Sequence, residues 1–277
     1  MAGVVLGSPF GSEPLDEVPL ARPPLAQVLA QVRFAKVSQL WVGDAAAREF
    51  IGRVGHEYPI FDHRMETGFQ IGPDGIQPVP QAAPIWQLQS RDRNWMINFG
   101  SDFFSLTALK YTSRSDFVKR LLDSWEVFAN VIESVRHERV GIRYTNRISG
   151  GVAIDQLPEL VRPEMLGEAA ASIAPVERRH SISEAAYTLG GREGFHARWG
   201  LLPAGAAFDP TVPTVDTPSW VLDMDAFMNY EDSLSQLQPG ELAENISHLA
   251  GRAYRYFRWT VTEQFLEVFG GSEDARG

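Results

Sequence analysis

Apolar residues recur along this chain in two rhythms, and both are clearest between Phe104 and Ile148. FSLTALKY and ERVGIRYTNRI alternate apolar and polar residues, the period of a half-buried strand. Between them, Phe117, Leu121, Trp125, Phe128, Ile132 and Val135 recur at steps of three and four. That spacing predicts an amphipathic helix over 113–135 with one apolar face. Ser113 followed by Asp116 resembles a capping box, which would satisfy free amides of the first turn.

Upstream, LAQVLAQVRF reads as a first strand and Ala45 to Val54 as a short helix. Residues 55–84 are dense in Pro and Gly and read as a long loop. IWQLQS, WMINFG and FFSLTALKY, joined by short polar turns, predict an antiparallel meander in which Trp95, Ile97 and Phe99 face the helix. The second half has the same order. SISEAAYTLGG, FHARWGLL and WVLDMDAFM read as strands, and a helix is expected over 241–269 with Leu242, Ile246, Leu249, Ala253, Phe257, Val261 and Phe265 as its stripe.

The expected class is therefore α+β: antiparallel sheets each packed against a long helix, in two related strand-strand-strand-helix lobes. The boundaries run as a flexible tail over 1–23, a first lobe over 24–150, a linker with a short helix over 151–177, a second lobe over 178–270 and a tail over 271–277. The repeated order suggests duplication, although any α+β chain of this size can show it by chance.

Composition narrows the function classes. With 44% hydrophobic residues and 16 Phe, the chain can bury a substantial core. A net charge of −10 argues against general nucleic-acid binding, which needs clustered Lys and Arg. The absence of Cys excludes disulfides, thiolate nucleophiles and cysteine zinc sites. No apolar run reaches the roughly 20 residues that span a bilayer, and the N-terminus lacks a positive leader, so a cytoplasmic protein is expected.

The ordered landmarks PLAQVLAQVRF, GIRYTNRI, LDMDAF and FRWTVTEQF resemble those of a sporadically distributed, uncharacterised bacterial protein family of about 250–280 residues. The resemblance runs from Pro24 to Phe269 and implies no catalytic residues. What it implies is a patchily inherited accessory protein, of the kind found in defence or toxin-neutralising systems.

Standard catalytic signatures are missing: there is no P-loop, no GxSxG and no HExxH, and the histidines at 56, 63, 137, 180, 196 and 248 form no compact ligand pair. The glycines 190, 191 and 194 fit a hairpin turn better than a phosphate cradle. No cofactor is expected. Three constellations remain. Arg139, Arg143 and Arg147 share one side of their strand and offer a row for an acidic ligand or partner, or a solvated face paired with carboxylates. Asp223 and Asp225 share a strand face, and His196 with Arg198 share a face of the strand before. Together these four could hold a divalent cation or do acid and base work, with Asp223, Asp225 and His196 as the catalytic candidates, or they could form a structural ion-pair network. His56, Tyr58, Phe61, Asp62 and His63 either transfer protons or anchor their loop on the core. Arg252, Arg255 and Arg258 read as a solvated basic face of the last helix.

The leading expectation is a non-enzymatic interaction protein with a protein partner, its binding residues Arg139, Arg143, Arg147 and Arg198. The alternative is an enzyme or small-molecule binder with a carboxylate, His and Arg cleft between the lobes.

Overall fold

A computed structural model describes residues 7–13, 15–66, 69–72, 75–78, 83–132, 136–150, 154–170, 175–176, 178–209, 211–230 and 237–270. In chain order the elements are β1 (Leu25–Phe34), α1 (Ser38–Trp41), α2 (Ala45–Val54), β2 (Ile60–Glu66), β3 (Phe69–Gly72), β4 (Gly75–Pro78), β5 (Ala83–Gln89), β6 (Trp95–Phe99), β7 (Phe103–Ala108), α3 (Arg114–Ile132) and β8 (His137–Ser149). There follow α4 (Leu157–Leu160), two short 3-10 turns, β9 (Ser181–Gly190), β10 (Glu193–Leu202), β11 (Ser219–Asn229), α5 (Pro239–Thr260) and α6 (Glu263–Gly270). The class is α+β, as expected, and the strands join one nine-stranded antiparallel sheet in the order β2-β5-β6-β7-β1-β8-β11-β10-β9, with β3 and β4 as a separate hairpin. The alternation foretold the strands but not a single sheet, because lateral neighbours are chosen by contacts far apart in sequence. Among the described residues no helix is long and apolar enough to cross a membrane.

The chain divides into two compact units, one of Met1–Val28, Arg143–Ala226 and His248–Gly277, the other of Leu29–Ile142 and Phe227–Ser247. In the second unit the predicted meander forms, with Ile97 opposite Leu88 and Leu106 on its two sides. α3 lays Phe117, Leu121, Trp125, Phe128 and Ile132 on the core; Val135 lies outside the described residues. Its start is capped as expected on one side only: the Ser113 hydroxyl accepts from the Asp116 amide at 3.1 Å.

Residues 55–84, expected as a loop, carry β2, β3, β4 and the start of β5. β2 is an edge strand, and its residues 61–64 are all exposed, so no alternation of buried and exposed positions marks that stretch. In the first unit, β9 and β10 make the predicted hairpin around Gly190 and Gly191, whose φ of 104° and 57° are the left-handed values that a tight turn requires.

The helix expected over 241–269 is two helices. Thr260, Val261 and Thr262 put β-branched residues in succession, and the Thr262 hydroxyl accepts from the Phe265 amide at 3.2 Å, which starts α6 afresh. Val161 makes a bridge to Val261 at the break. The N-terminal segment lies on this unit: Phe10 is 4.8 Å from Tyr187, 5.3 Å from Phe195 and 5.7 Å from Tyr256 between ring centroids. The Tyr254 hydroxyl accepts from the Val18 amide at 2.7 Å.

Candidate functional site

Among the sequence candidates, Arg143, Arg198 and Asp223 meet. β11 lies between β8 and β10, so Asp223 is flanked by an arginine from each neighbour. Asp223 is 4% exposed and its carboxylate accepts five hydrogen bonds. Arg143 forks onto it through Nε at 2.6 Å and Nη2 at 2.8 Å. Arg198 gives Nη2 at 2.9 Å and Nε at 3.3 Å, and the Thr145 hydroxyl donates at 3.0 Å. A carboxylate has about four lone-pair positions. Asp223 thus has no free oxygen position with which to abstract a proton or ligate a cation.

A second carboxylate, Asp209, completes the cluster by accepting from Arg143 Nη1 at 2.7 Å. Its other oxygen accepts from the amide of Thr211 at 2.8 Å and from its hydroxyl at 2.7 Å. That hydroxyl in turn accepts from the Gln27 amide at 3.2 Å. Two guanidinium groups and two carboxylates leave the cluster neutral. Burial disfavours the charged form of Arg143, but its bonds to Asp223 and Asp209 outweigh this and hold its pKa above the ordinary value. Burial likewise pushes the Asp209 carboxyl up, and is outweighed by the Thr211 bonds and Arg143, so its pKa falls below the ordinary carboxylate value.

This depression has a definite sign. A carboxyl with a lowered folded-state pKa contributes stability above its unfolded value, and the contribution is lost as pH falls through the folded value. Urea denaturation of wild type and Asp209→Asn should therefore differ by a constant amount above about pH 5, and the gap should close below about pH 4. A gap that persists unchanged to about pH 3 would contradict the assignment.

The other candidates go elsewhere. His196 Nε2 is 2.7 Å from Glu184 Oε1 on β9 and does not join Asp223. Asp225 is half-buried on β11. Arg139 stacks over the Phe227 ring at 4.4 Å, and Arg147 donates to the Pro213 carbonyl. In the 56–63 stretch, Tyr58 is buried as an anchor while Phe61 is exposed, and Asp62 accepts from the His63 amide and Arg64. The basic face of α5 is not solvated: Arg255 and Arg258 are buried, and Arg255 donates to the Glu13 carbonyl. The N-terminal residues were read as a tail, so nothing in the spacing foretold this cover.

Recesses among the described residues of the second unit include two that differ in chemistry. One, of about 790 Å³, is lined by Trp41, Val42, Ile51, Phe61, Pro84 and Trp86. It carries two exposed apolar side chains, Val42 at 83% and Phe61 at 53%. The other, of about 530 Å³, lies between the end of α2 and α3 and is lined by charged groups. Among the described residues no three His, Asp or Glu side chains gather in a metal-holding cluster. No protein-family model matches the chain, and comparison with curated proteins finds no match.

Proposed function

We propose that the chain is a non-enzymatic interaction protein that receives an apolar or aromatic side chain of a protein partner in the groove between α1, α2 and the β2–β5 edge. The observation that carries this is the meeting of Val42 and Phe61, both exposed, with Trp41 and Trp86 in one groove. Apolar side chains held in water on a rigid frame recover free energy only when covered, and aromatic-lined recesses are where interface anchors dock. The frame is rigid because Trp86 stacks on Phe99 at 5.3 Å and Phe50 of α2 packs edge-on to Phe99 at 5.0 Å.

The enzymatic alternative called for a carboxylate, His and Arg cleft. Its central carboxylate is saturated and its imidazole is turned to Glu184, which supports the binding reading. The arginines proposed from sequence as binding residues serve the fold in this reading: Arg143 and Arg198 neutralise Asp223. An accessory, defence-type role in the cytoplasm fits a protein that acts by capturing another. The shared order of β5–β7 before α3 and β9–β11 before α5 supports a duplicated ancestry.

Capture with the tagged full-length chain, its genomic neighbours co-expressed, should yield one stoichiometric partner. Phe61→Asp and Val42→Asp should each weaken that complex by about thirtyfold, the loss of a hot-spot contact, with the melting temperature within about 2 °C of wild type. If no stoichiometric partner is captured, or both variants hold it as tightly as wild type, the reading fails.

A further inference from the structure

The smaller recess lies between the end of α2, at Arg53 and Val54, and α3. Its chemistry differs from the groove's. Lys119 and Asp123 are committed to each other at 2.6 Å. Three lining groups are held less firmly. The Arg120 guanidinium rests on the Trp95 ring at 4.5 Å, which fixes its plane, and its nearest carboxylate oxygen is that of Glu57 at 3.7 Å, beyond hydrogen-bond reach. Its buried Nε has no acceptor. Tyr58 is 2% exposed, and its hydroxyl lies against the Arg120 guanidinium with no acceptor for its own proton among the described residues. Asp116 stands four residues before Arg120, on the same face of α3, and among the described residues its carboxylate makes neither ion pair nor hydrogen bond.

We propose that this recess binds a small zwitterion of the α-amino-acid class, its carboxylate on Arg120 and Tyr58 and its ammonium on Asp116. The donors set the first half of the assignment. If the Tyr58 hydroxyl accepts from Arg120, its own proton still needs an acceptor, and a ligand carboxylate between the two supplies one while taking the guanidinium protons. The wall sets the second half. Glu57 and Asp116 would repel a simple anion, and a simple cation would leave the Arg120 donors without a carboxylate in hydrogen-bond reach. One turn of helix, about 6 Å between side-chain origins, separates Arg120 from Asp116, a span that a carboxylate and an ammonium on one carbon can bridge. The binding does not depend on a partner in the groove.

The test is calorimetric titration of the full chain with glycine, L-alanine, L-glutamate, L-lysine and L-phenylalanine, each alone, against acetate, methylammonium and inorganic phosphate. At least one amino acid should give a saturable one-to-one isotherm with Kd of about 1 mM or tighter, and the three controls none. Arg120→Gln, Tyr58→Phe and Asp116→Asn should each weaken it about tenfold or more. Asp116→Asn changes only a half-exposed charge, so it decides the matter even if Arg120→Gln fails to fold. The proposal is overturned if none of the five amino acids saturates, if acetate or phosphate binds as tightly, or if Asp116→Asn leaves the isotherm unchanged.

Discussion

Asp223→Ala is expected to destabilise the protein by about 3 kcal/mol, because it leaves two partly buried guanidinium groups without their shared carboxylate. The figure is at the lower end of what removing one member of a buried ion pair costs. Arg143 keeps Asp209 at 2.7 Å, and the Arg143 and Arg198 side chains are 20% and 28% exposed, so water screens part of the loss. A fall in melting temperature of about 5 °C or more should follow. Asp223→Asn, which can still accept at one oxygen, should lose less. A double-mutant cycle of Asp223→Ala with Arg143→Ala should show a coupling of about 1–3 kcal/mol, since the pair is bidentate. Melting of Asp223→Ala within about 1 °C of wild type would mean that the network adds nothing to the fold.

How this cluster was legible in sequence, and where legibility stopped, follows from the physics of strands. Period-two geometry puts Arg143 on a definite side of β8 and Asp223 on a definite side of β11 from the text alone. That β11 lies between β8 and β10 is a choice of neighbours across 80 residues of chain, and no local pattern encodes it. Arg198 and His196 share a face, yet they part. Register sets Arg198 opposite Glu184, but Glu184 takes His196 diagonally, and Arg198 turns to the more buried carboxylate. Asp209 was missed because it lies outside any periodic element. Its only signal was a Thr two residues on, a spacing that lets the carboxylate accept from the Thr211 amide. The groove was missed for a related reason: Val42 and Phe61 belong to a helix end and an exposed edge strand, where neither rhythm operates.

Phe128→Ala should produce the largest loss in the core, about 3–5 kcal/mol, the range for removing a large buried ring. Phe128 is fully buried, and its ring lies within 6 Å of Phe34, Phe50, Phe99, Phe104 and Trp125, between centroid distances of 4.9 and 5.9 Å. These rings come from β1, α2, β6, β7 and α3 itself, so the cavity would open at the point where α3, the sheet and α2 are joined. Phe128→Leu, which keeps most of the volume, should cost less than about 1.5 kcal/mol. The two variants separate packing from function. Loss of Phe128 loosens Phe50 and with it α2, which forms a wall of both recesses, so it should weaken partner capture in proportion to its destabilisation. Phe61→Asp should weaken capture with stability intact. Urea denaturation that finds Phe128→Ala within about 1 kcal/mol of wild type would remove α3 as the element on which the second unit is assembled.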